Sequence, residues 1–528
     1  MVNIKLTRNK GFKWFHQEGI YAKGYLFDPD GILHRDENIC SYFNAKSRHK
    51  EDFRQALLSA NGVFSVIIQR ENQVWIAVDR FRFFPLFYRE KEECLYLSDE
   101  VDSIYRETGD KKEVDPDSAL IFSSCGYVLG NKTLLKDTFQ VQAGEFIAYE
   151  NKSIVPVFYH KLFSEINDLS FEEAASQLKK IFRNASKRMV QLIDNRQVIL
   201  PLSGGLDSRL IAYFLKKEGV QNVICFTYGR EKGNPEWERS KNVAEKLGFD
   251  WKFIDYTKID DLEYYKKPRF IDFYNYEAQY TSKFGLMLYF SSEYLIDCLK
   301  IPAHSVILPG HGGDFFSGSH YKFYMKNYDS LQTIANDLEY IHCNLVKLSR
   351  KERKKIYVEV KKGLESDSPL FANVVNWDLK ERQAKYIINS CAIWGYSDFE
   401  TQMPLCDTEL MDFFASLPFD YLLGQKLYRT VVSDLFEEFD INFPQDSLSQ
   451  NNTAFIQKLK TFFKRRFPFL RRKANLFQFD YYYDYERFVQ PILKELEESS
   501  LKNRKITASN GIFAQWYLMQ VYIKNKTL

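Results

Sequence analysis

In the first part of the chain, short apolar runs alternate closely with polar or turn-forming residues. Between residues 61 and 98, short apolar runs such as GVFSVIIQ and QVWIAVD are separated by Asn, Gly, Pro or charged pairs. Short apolar runs bounded by turn-forming residues predict β-strands joined by hairpins. The same pattern continues through GEFIAYENKSIVPVFYH at 144–160. A β-sandwich is therefore predicted for roughly the first 155 residues.

Helical spacing replaces this alternation after about residue 168. The stretch SFEEAASQLKKIFRNASKRMVQLI opens with Ser and an early Glu pair, which is a helix start signal, and then repeats apolar residues at helical spacing. Apolar runs of strand length then alternate with helical stretches, and this order predicts a parallel sheet. Beyond about residue 330 the pattern is mainly helical. The predicted strands of the sheet are RQVILPL, VICFTYG, WKFIDY and, at 305–314, SVILPGHGGD.

A length of 528 residues exceeds what one hydrophobic core usually supports. Together with the change of pattern, this length predicts an α/β protein of two domains, residues 1–160 and residues 165–528. The first is predicted to be the sandwich, and the second a parallel α/β domain with many additional helices.

Composition narrows the classes of function. Lys and Arg (73) nearly balance Asp and Glu (70), and the net charge of +3 does not predict a nucleic-acid-binding surface. The eight cysteines are scattered without a CxxC pair, which argues against a zinc site and against a disulfide framework. The first residues lack the apolar core of a signal peptide, and no apolar run reaches about 18 residues, so a cytoplasmic location is expected.

One stretch mixes basic and aromatic residues, FIQKLKTFFKRRFPFLRRK at 455–473. It has the composition of a helix that lies on a membrane surface or grips an anionic substrate. The alternative is a solvated helix whose Phe residues face the core. Pro468 interrupts any long amphipathic helix here, which favours the second interpretation.

The stretch VILPLSGGLDSRL at 198–210 combines a predicted strand, a Gly-rich turn and the start of a helix. Backbone N–H groups and the positive end of the helix dipole converge at such a junction, which therefore favours a phosphate ligand. Gly204 and Gly205 would let the backbone approach the anion closely, and Ser203 and Ser208 would add hydroxyl donors. No Gly-Lys-Ser/Thr follows, so this is not a Walker A loop.

An acid in this loop has two interpretations. Asp207 beside a phosphate requires a divalent cation between the two anions. Alternatively, the sequence forms a plain tight turn, and Asp207 is a first-turn acid of the following helix.

The SGGLDS sequence resembles the pyrophosphate-binding loop of the ATP pyrophosphatases (PP-loop enzymes), which split ATP into AMP and pyrophosphate. Further stretches resemble asparagine synthetases and keep the order of that family over about residues 15 to 440. These stretches are NGVFSVIIQRENQVWIAVDRFRFFPLFY, FTYGREKGNPEWERSKNVAEKLGFDWKFI, LPGHGGDFFSGSHY, ETQMPLCDTELMDFFASLP and GQKLYRTVVSDL. The chain is thus similar to the asparagine synthetase and β-lactam synthetase family. The resemblance implies a glutaminase-like (Ntn-type) domain at 1–160 and a synthetase domain at 165–528.

The resemblance also implies ATP and Mg²⁺ as ligands of the synthetase domain. The carboxylates of Asp207 and Asp314 would hold Mg²⁺ on the ATP phosphates. The positions that match nucleotide contacts of the family are Leu202, Ser203, Gly204, Gly205, Asp207, Ser208, Tyr228, Gly229, Pro309 and Gly310.

The N-terminal domain departs from the family at its second residue. Glutamine-dependent asparagine synthetases carry a nucleophilic cysteine there, whereas this chain has Val2 and no cysteine before Cys40. A valine side chain has no nucleophilic atom. The resemblance therefore implies an inactive glutaminase-like domain that serves as a scaffold, with nitrogen arriving as ammonia from a partner protein or as an amine.

The candidate catalytic residues also differ from the family. His311 stands where asparagine synthetases have Glu, so aspartate-specific asparagine synthesis is not expected. Its imidazole is either a base for the attacking amine or a group that hydrogen-bonds the loop. Glu400 is predicted either to orient a base and hold substrate or to form a structural salt bridge.

The family lysine has no unambiguous counterpart. That lysine stands four residues before an Arg, whereas Lys426 stands three before Arg429 and Gln425 holds the matching place. One residue turns a helical side chain by about 100°. Lys426 is predicted to stabilise charge on the phosphorus and on the tetrahedral carbon, and the alternative is a surface lysine at a helix start.

The predicted activity is ATP-dependent amide formation through an acyl-adenylate, with release of AMP and pyrophosphate. Amidation of a sugar carboxylate in surface-polysaccharide synthesis is preferred. The alternatives are intramolecular ring closure of the β-lactam or lasso-peptide type and, from another class, a non-catalytic scaffold; asparagine synthesis from free ammonia ranks lower. The expected partners are a small-molecule, sugar or peptide carboxylate, a protein that supplies ammonia or carries the substrate, and a second copy in a homodimer.

Overall fold

The computed structural model describes residues 1–71, 73–163, 165–231, 233–366, 369–444, 481–499 and 504–527. The basic and aromatic stretch at 455–473 lies outside the described residues. None of the helices within the described ranges combines the length and apolar content needed to cross a membrane.

The N-terminal part forms two sheets that pack face to face, which confirms the predicted sandwich. The larger sheet has the order β11-β10-β6-β5-β3-β2 with β4 on β3, and the smaller has the order β1-β8-β7-β9. Apolar side chains of both sheets, among them Ile67, Val78 and Leu97, form one buried cluster between them. The strands are β1 (Val2–Lys5), β2 (Phe15–Gln17), β3 (Ile20–Phe27), β4 (Leu33–Arg35), β5 (Asn61–Arg70), β6 (Gln73–Val78), β7 (Phe87–Lys91), β8 (Cys94–Ser98), β9 (Phe139–Gln140), β10 (Glu145–Glu150) and β11 (Ser153–Phe158).

Helices that the alternation pattern did not predict cover the outer face of the larger sheet. Phe53 stacks on Trp75 of β6 with ring centroids 5.4 Å apart, and Phe43 packs against Phe64 of β5. This second apolar face explains why β5 and β6 read as nearly continuous apolar runs. The helices of this part are α1 (Glu37–Lys46), α2 (Lys50–Ser59), α3 (Val101–Thr108) and α4 (Pro116–Cys125).

The remainder is built on a five-stranded sheet in which every neighbouring pair is parallel. Its order is β14-β13-β12-β15-β16, so the strands that carry the two Gly-rich loops, β12 and β15, are neighbours at the centre. This α/β sheet was predicted, except for its short edge strand β16. The strands are β12 (Val198–Pro201), β13 (Val223–Gly229), β14 (Asp250–Asp255), β15 (Val306–Ile307) and β16 (Glu400–Thr401).

Helices flank this sheet and dominate the chain after it, as predicted. The long α5 begins with the capping box expected at Ser170, where the hydroxyl accepts from the Glu173 N–H. Beside the π-helix Leu379–Ile387, the helices are α5 (Phe171–Ile193), α6 (Leu206–Lys217), α7 (Pro235–Leu247), α8 (Pro268–Ala278), α9 (Leu286–Asp297), α10 (Gly313–Phe316), α11 (Leu331–His342), α12 (Arg350–Lys362), α13 (Leu370–Asp378), α14 (Ala392–Tyr396), α15 (Thr408–Ala415), α16 (Phe419–Leu422), α17 (Lys426–Phe436), α18 (Tyr485–Glu498) and α19 (Ser509–Thr527).

Polar contacts join the sandwich to the second half of the chain. The buried Arg80 pairs with Asp412 at 2.6 Å, and the buried Lys385 donates to the carbonyl of Gly130 at 2.6 Å. The last sandwich strand ends at Phe158 and α5 begins at Phe171, so the domain division proposed at 160–165 falls within this connection.

Candidate active site

The Gly-rich turn after β12 is held by its own serines. The Ser203 and Ser208 hydroxyls lie 3.2 Å apart, and the Gly205 N–H donates to Ser203 Oγ at 3.2 Å. Gly204 has φ +73°, and a Cβ there would lie 2.6 Å from the Cβ of Arg239. Glycine is therefore required at position 204, both for its backbone conformation and for the packing of α7 against the turn.

The second Gly-rich loop, 309–313, follows β15 and touches the first. A Cβ on Gly310 would lie 3.1 Å from the Ser208 nitrogen, and a Cβ on Gly313 would lie 2.7 Å from Asp207 Cγ. Since β12 and β15 are parallel neighbours, their loops leave the same edge of the sheet. The glycines allow the two loops to meet without side chains between them.

This meeting brings the two predicted metal-binding acids together. The Asp314 N–H donates to Asp207 Oδ2 at 2.7 Å, and Tyr428 Oη donates to Asp207 Oδ1 at 2.6 Å. Burial, and then the charge of Asp314, raise the pKa of Asp207 to about 7. The carboxylate of Asp314 is exposed and accepts from Ser319 Oγ at 3.3 Å. The pair thus concentrates negative charge at one point of the sheet edge.

Helix α17 brings Gln425 and Arg429, rather than Lys426, to this region. Gln425 is buried, and its Nε2 donates to Ser317 Oγ at 2.8 Å. The guanidinium of Arg429 donates to Gln425 Oε1 at 3.3 Å, and its charge opposes the rise in the pKa of Asp207. Gln425 directly precedes the helix with φ +61°, and Arg429 lies one turn into it.

Lys426 points elsewhere. Its ammonium lies 4.9 Å from the ring centroid of Phe171, at the start of α5, and the side chain is exposed. Lys426 is the first helical residue, whereas Gln425 precedes the helix with φ +61°, and this change of backbone conformation accounts for their different directions. The structure thus does not bring the predicted catalytic lysine to Asp207.

His311 lies in the second Gly-rich loop, three residues before Asp314. Its Nδ1 is 3.4 Å from the Sγ of Cys391, and its carbonyl accepts weakly from the Cys406 thiol at 3.6 Å. Burial lowers the pKa of the imidazole below its ordinary value. The ring is therefore neutral at pH 7 and able to accept a proton.

Tyr228 and Gly229 form the carboxyl end of β13, the next strand along the edge. Tyr228 stacks on Tyr256 with ring centroids 5.3 Å apart. The Arg230 N–H donates to the Tyr482 carbonyl at 2.6 Å, and a Cβ on Gly229 would lie 2.4 Å from that oxygen. The segment before α18 therefore packs closely on the end of β13, a contact that no local pattern predicted.

Comparison with known proteins agrees with this architecture. The family model of asparagine synthase matches residues 177–473, more than half of the chain, and the glutamine amidotransferase domain model matches residues 49–160. The chain belongs to the asparagine synthase family. The matched range contains the turn after β12, the loop after β15 and helix α17.

Parts of the chain are similar in sequence to individual known proteins. It is 26% identical over 272 residues to the microcin J25-processing protein McjC of Escherichia coli, covering 50% of this chain and 48% of that protein. It is 23% identical over 187 residues to an asparagine synthetase (glutamine-hydrolyzing) of Bacillus subtilis, covering 34% and 30%. These matches span less than half of each relative's own length.

Similarity to solved structures is weaker. An NH₃-dependent NAD synthetase from Campylobacter jejuni aligns over 37% of this chain and 95% of that chain, with 14% identity and a TM-score of 0.20. A glutamine phosphoribosylpyrophosphate amidotransferase from Bacillus subtilis aligns over 69% and 78%, with 10% identity and a TM-score of 0.20.

In this member of the asparagine synthase family, Glu400 lies at the end of the sheet opposite the two Gly-rich loops. It pairs with Arg196 at 2.6 Å and with Arg35 of the sandwich at 3.4 Å. Arg196 precedes β12 and donates to the His304 carbonyl before β15, so Glu400 sits at the amino ends of the strands. The salt bridge interpretation describes this position.

Replacing Glu400 with Gln is expected to lower the free energy of unfolding by about 2 kcal/mol, because two arginines would lose a buried counter-charge. Urea unfolding measures the change. Glu51→Gln, at an exposed ion pair with Arg54, is the matched control and should leave the urea unfolding midpoint unchanged. A stable Glu400→Gln protein with impaired chemistry would instead support a catalytic role.

Sequence reasoning missed Tyr428, Gly313 and Ser317. Tyr428 stands two residues after Lys426 in the quoted helix start, but nothing in a single sequence indicates that its hydroxyl reaches Asp207. Gly313 belongs to a visible Gly-rich stretch, and its steric role depends on an acid 106 positions away. Among the described residues, no group of three or more His, Cys, Asp or Glu side chains forms a metal site.

Proposed function

We propose that the protein is an ATP-dependent amide-forming ligase that activates a carboxylate as an acyl-adenylate. The observation that carries this proposal is the contact between the SGGLDS turn and the loop of Asp314, in a chain of the asparagine synthase family. ATP phosphates would bind at residues 202–208, where glycines and a helix start favour an anion. Tyr228, Gly229, Pro309 and Gly310 are proposed nucleotide contacts beside it.

Mg²⁺ fits the acids at this edge. Asp207 and Asp314 are adjacent acids, and burial, followed by the charge of Asp314, raises the pKa of Asp207 to about 7. Two carboxylates are a typical protein contribution to Mg²⁺ that arrives with phosphates. When bound, the ion would neutralise charge on the departing pyrophosphate.

The chain's own residues supply the remaining chemistry. Arg429, held by Gln425, would stabilise negative charge near the phosphorus. The neutral imidazole of His311 would take the proton from the amine as it attacks the activated carbonyl. The half-buried position of His311 supports this role because partial shielding from water protects an acyl-adenylate from hydrolysis.

Replacing Arg429 with Met is expected to lower the rate of pyrophosphate release by about tenfold, because a charge near Asp207 is lost. Lys426→Met, three residues before Arg429 on the same helix, is the matched control. We expect its rate of pyrophosphate release to stay within about twofold of that of the unchanged protein. The reverse order of effects would restore Lys426 as the family lysine and contradict our assignment.

The function itself is tested by pyrophosphate release with MgATP and a panel of carboxylates and amines. Substrate-dependent release of AMP and pyrophosphate, with an amide product in mass spectrometry, is the expected result. Release of ADP and phosphate would indicate a different reaction. No turnover with any pair, despite MgATP binding, would favour the scaffold alternative.

The microcin-processing relative supports a peptide carboxylate as the substrate, and a peptide amine as the acceptor would give a ring. Sugar amidation, which was preferred from the sequence alone, is tested with the same panel of carboxylates and amines. A hexuronic acid with ammonia tests the sugar arm, and a peptide with a free N-terminus and an acidic side chain tests the ring-closing arm.

Nitrogen is proposed to come from an amine, or from ammonia that a partner supplies, rather than from glutamine. Val2 lies in β1 opposite Leu95 of β8, and its side chain has no nucleophilic atom. Glutamate release from glutamine should therefore stay at the background rate. Measurable glutaminase activity of the purified chain would contradict this proposal.

A further inference from the structure

A cavity of about 440 Å³ opens beside the edge strand β14, away from the contact between Asp207 and Asp314. Its volume lies in the range of small-molecule sites, about 300–1,000 Å³. The last residues of β14 and one face of α9 form its walls. The residues that matter for the argument are Phe253, Tyr264, Tyr289, Phe290, Glu293 and Asp297.

The ring of Tyr256 contacts both Phe290, which lines this cavity, and Tyr228 of the candidate nucleotide site. Tyr256 stacks on Tyr228 on one side, and its ring meets Phe290 edge-on at 5.7 Å on the other. Its hydroxyl lies 2.8 Å from Ser291 Oγ, within hydrogen-bond distance, and the side chain is buried. Because these contacts hold the Tyr256 side chain in place, its ring separates the cavity from the candidate nucleotide site at the same edge of the sheet.

Aromatic rings enclose the inner part of the cavity. The ring centroids of Tyr264 and Phe290 are 5.0 Å apart, and those of Tyr289 and Phe290 are 5.5 Å apart, both in edge-to-face geometry. Tyr264, Tyr289 and Phe290 are largely buried, so each ring lines the cavity with only a small part of its surface. Ring faces attract cations, most strongly where water is excluded.

The charges at the wall also favour a cation. Glu293 and Asp297, one turn apart on α9, both pair with Arg269, at 2.5 and 2.9 Å, and Tyr289 Oη also donates to Glu293 Oε2 at 3.3 Å. Two carboxylates on one guanidinium leave one negative charge uncompensated. Burial raises the pKa of Glu293, the charge of Arg269 opposes this rise, and the charge of Asp297 adds to it.

The other charged residues of the cavity do not change this balance. Asp255 pairs with Lys258 at 3.4 Å, and Asp261 pairs with Lys267 at 2.5 Å. Each of these pairs is neutral, and both lysines are well exposed. The excess negative charge therefore belongs to Glu293 and Asp297, next to Tyr289.

We propose that this cavity binds an organic ammonium ion with an aromatic or apolar body. The rings would contact the body and the cation face, and the excess carboxylate charge would compensate the ammonium. A nucleotide or other phosphate is disfavoured by the same carboxylates. The assignment does not depend on the proposed ligase reaction, because it rests on residues outside that site.

Three indoles of nearly equal shape test the proposal by isothermal titration calorimetry on the full chain without ATP. Tryptamine carries an ammonium, tryptophol is neutral and indole-3-acetate is an anion. We expect tryptamine to bind at least about tenfold more tightly than tryptophol, and indole-3-acetate to bind least. Equal affinities, or no binding of tryptamine, would overturn the proposal.

Glu293→Gln keeps the shape of the wall and balances Asp297 against Arg269. It should bring tryptamine to within about twofold of tryptophol, while the affinity for tryptophol stays unchanged. Asp297→Asn makes the same change of charge at an exposed position and should act alike even where Glu293→Gln does not fold. Glu263→Gln, at an exposed pair with Lys266, is the control. An undiminished preference for tryptamine in the folded variants would exclude the proposed role of these carboxylates.

Discussion

Replacing Asp207 with Asn is expected to reduce MgATP-dependent pyrophosphate release by about 10³-fold. Asp207 receives hydrogen bonds from Tyr428 and from the Asp314 N–H, so the amide would keep its place but lose its charge. A neutral side chain cannot compensate a divalent cation as a carboxylate does. Pyrophosphate release and MgATP binding by calorimetry are the measurements.

The loss should not come from unfolding. Because the pKa of Asp207 is raised in the folded protein, its ionisation makes the folded state less stable as the pH rises from about 4 to about 7. Asp207→Asn removes this penalty, so its thermal midpoint at pH 8 should equal or exceed that of the unchanged protein. Asp420→Asn, at an exposed pair with Lys326, is the matched control and should retain full activity. Full activity of Asp207→Asn would refute the proposed metal position.

Replacing His311 with Gln is expected to slow amide formation by about 10²-fold, in the range of general base catalysis. Pyrophosphate–ATP exchange with the carboxylate substrate should change by no more than about threefold, because adenylation needs no base at that position. The glutamine amide can keep a hydrogen bond near Cys391 but cannot take a proton. Exchange and amide formation are measured separately on the same preparation.

The pH profile separates catalysis from positioning. With His311 intact, the rate of amide formation should fall below the imidazole pKa, and that acidic limb should be absent in His311→Gln. His16→Gln, at a ring exposed on β2 and stacked on Tyr21, is the control and should leave both assays unchanged. Equal loss of exchange and amide formation would mean that His311 shapes the loop instead of acting as a base.

Most elements near the site could be predicted because they are local. The strand at Val198–Pro201 and the helix at Leu206–Lys217 follow from apolar run length, helical spacing and the glycines between them. Parallel strands of one sheet place their exit loops on one edge, so the loops of Asp207 and Asp314 were expected at the same edge, whereas their direct contact follows from the adjacency of β12 and β15 in the observed sheet. The capping box at Ser170 was predictable for the same local reason.

Positions that depend on orientation could not be predicted in this way. Lys426 and Gln425 differ by one residue, and only the start of α17, where Gln425 has φ +61°, decides which one faces Ser317. Residue type favoured the lysine, but the helix turned it toward Phe171. An uncertainty of one or two residues in a helix start is enough to exchange the two outcomes.

By itself, the sequence determined the α/β class, the sandwich that precedes it and the Gly-rich turn with its acid, because strands, helices and turns depend on neighbours within a few residues. Only the tertiary structure decided that Glu400 joins Arg35 and Arg196 at the far edge, that Tyr428 reaches Asp207 and that Tyr256 divides the sheet edge into two compartments. These contacts join positions between 28 and 365 residues apart. Charge pairing and ring packing at such separations depend on how whole elements are placed in space, which short-range patterns do not record.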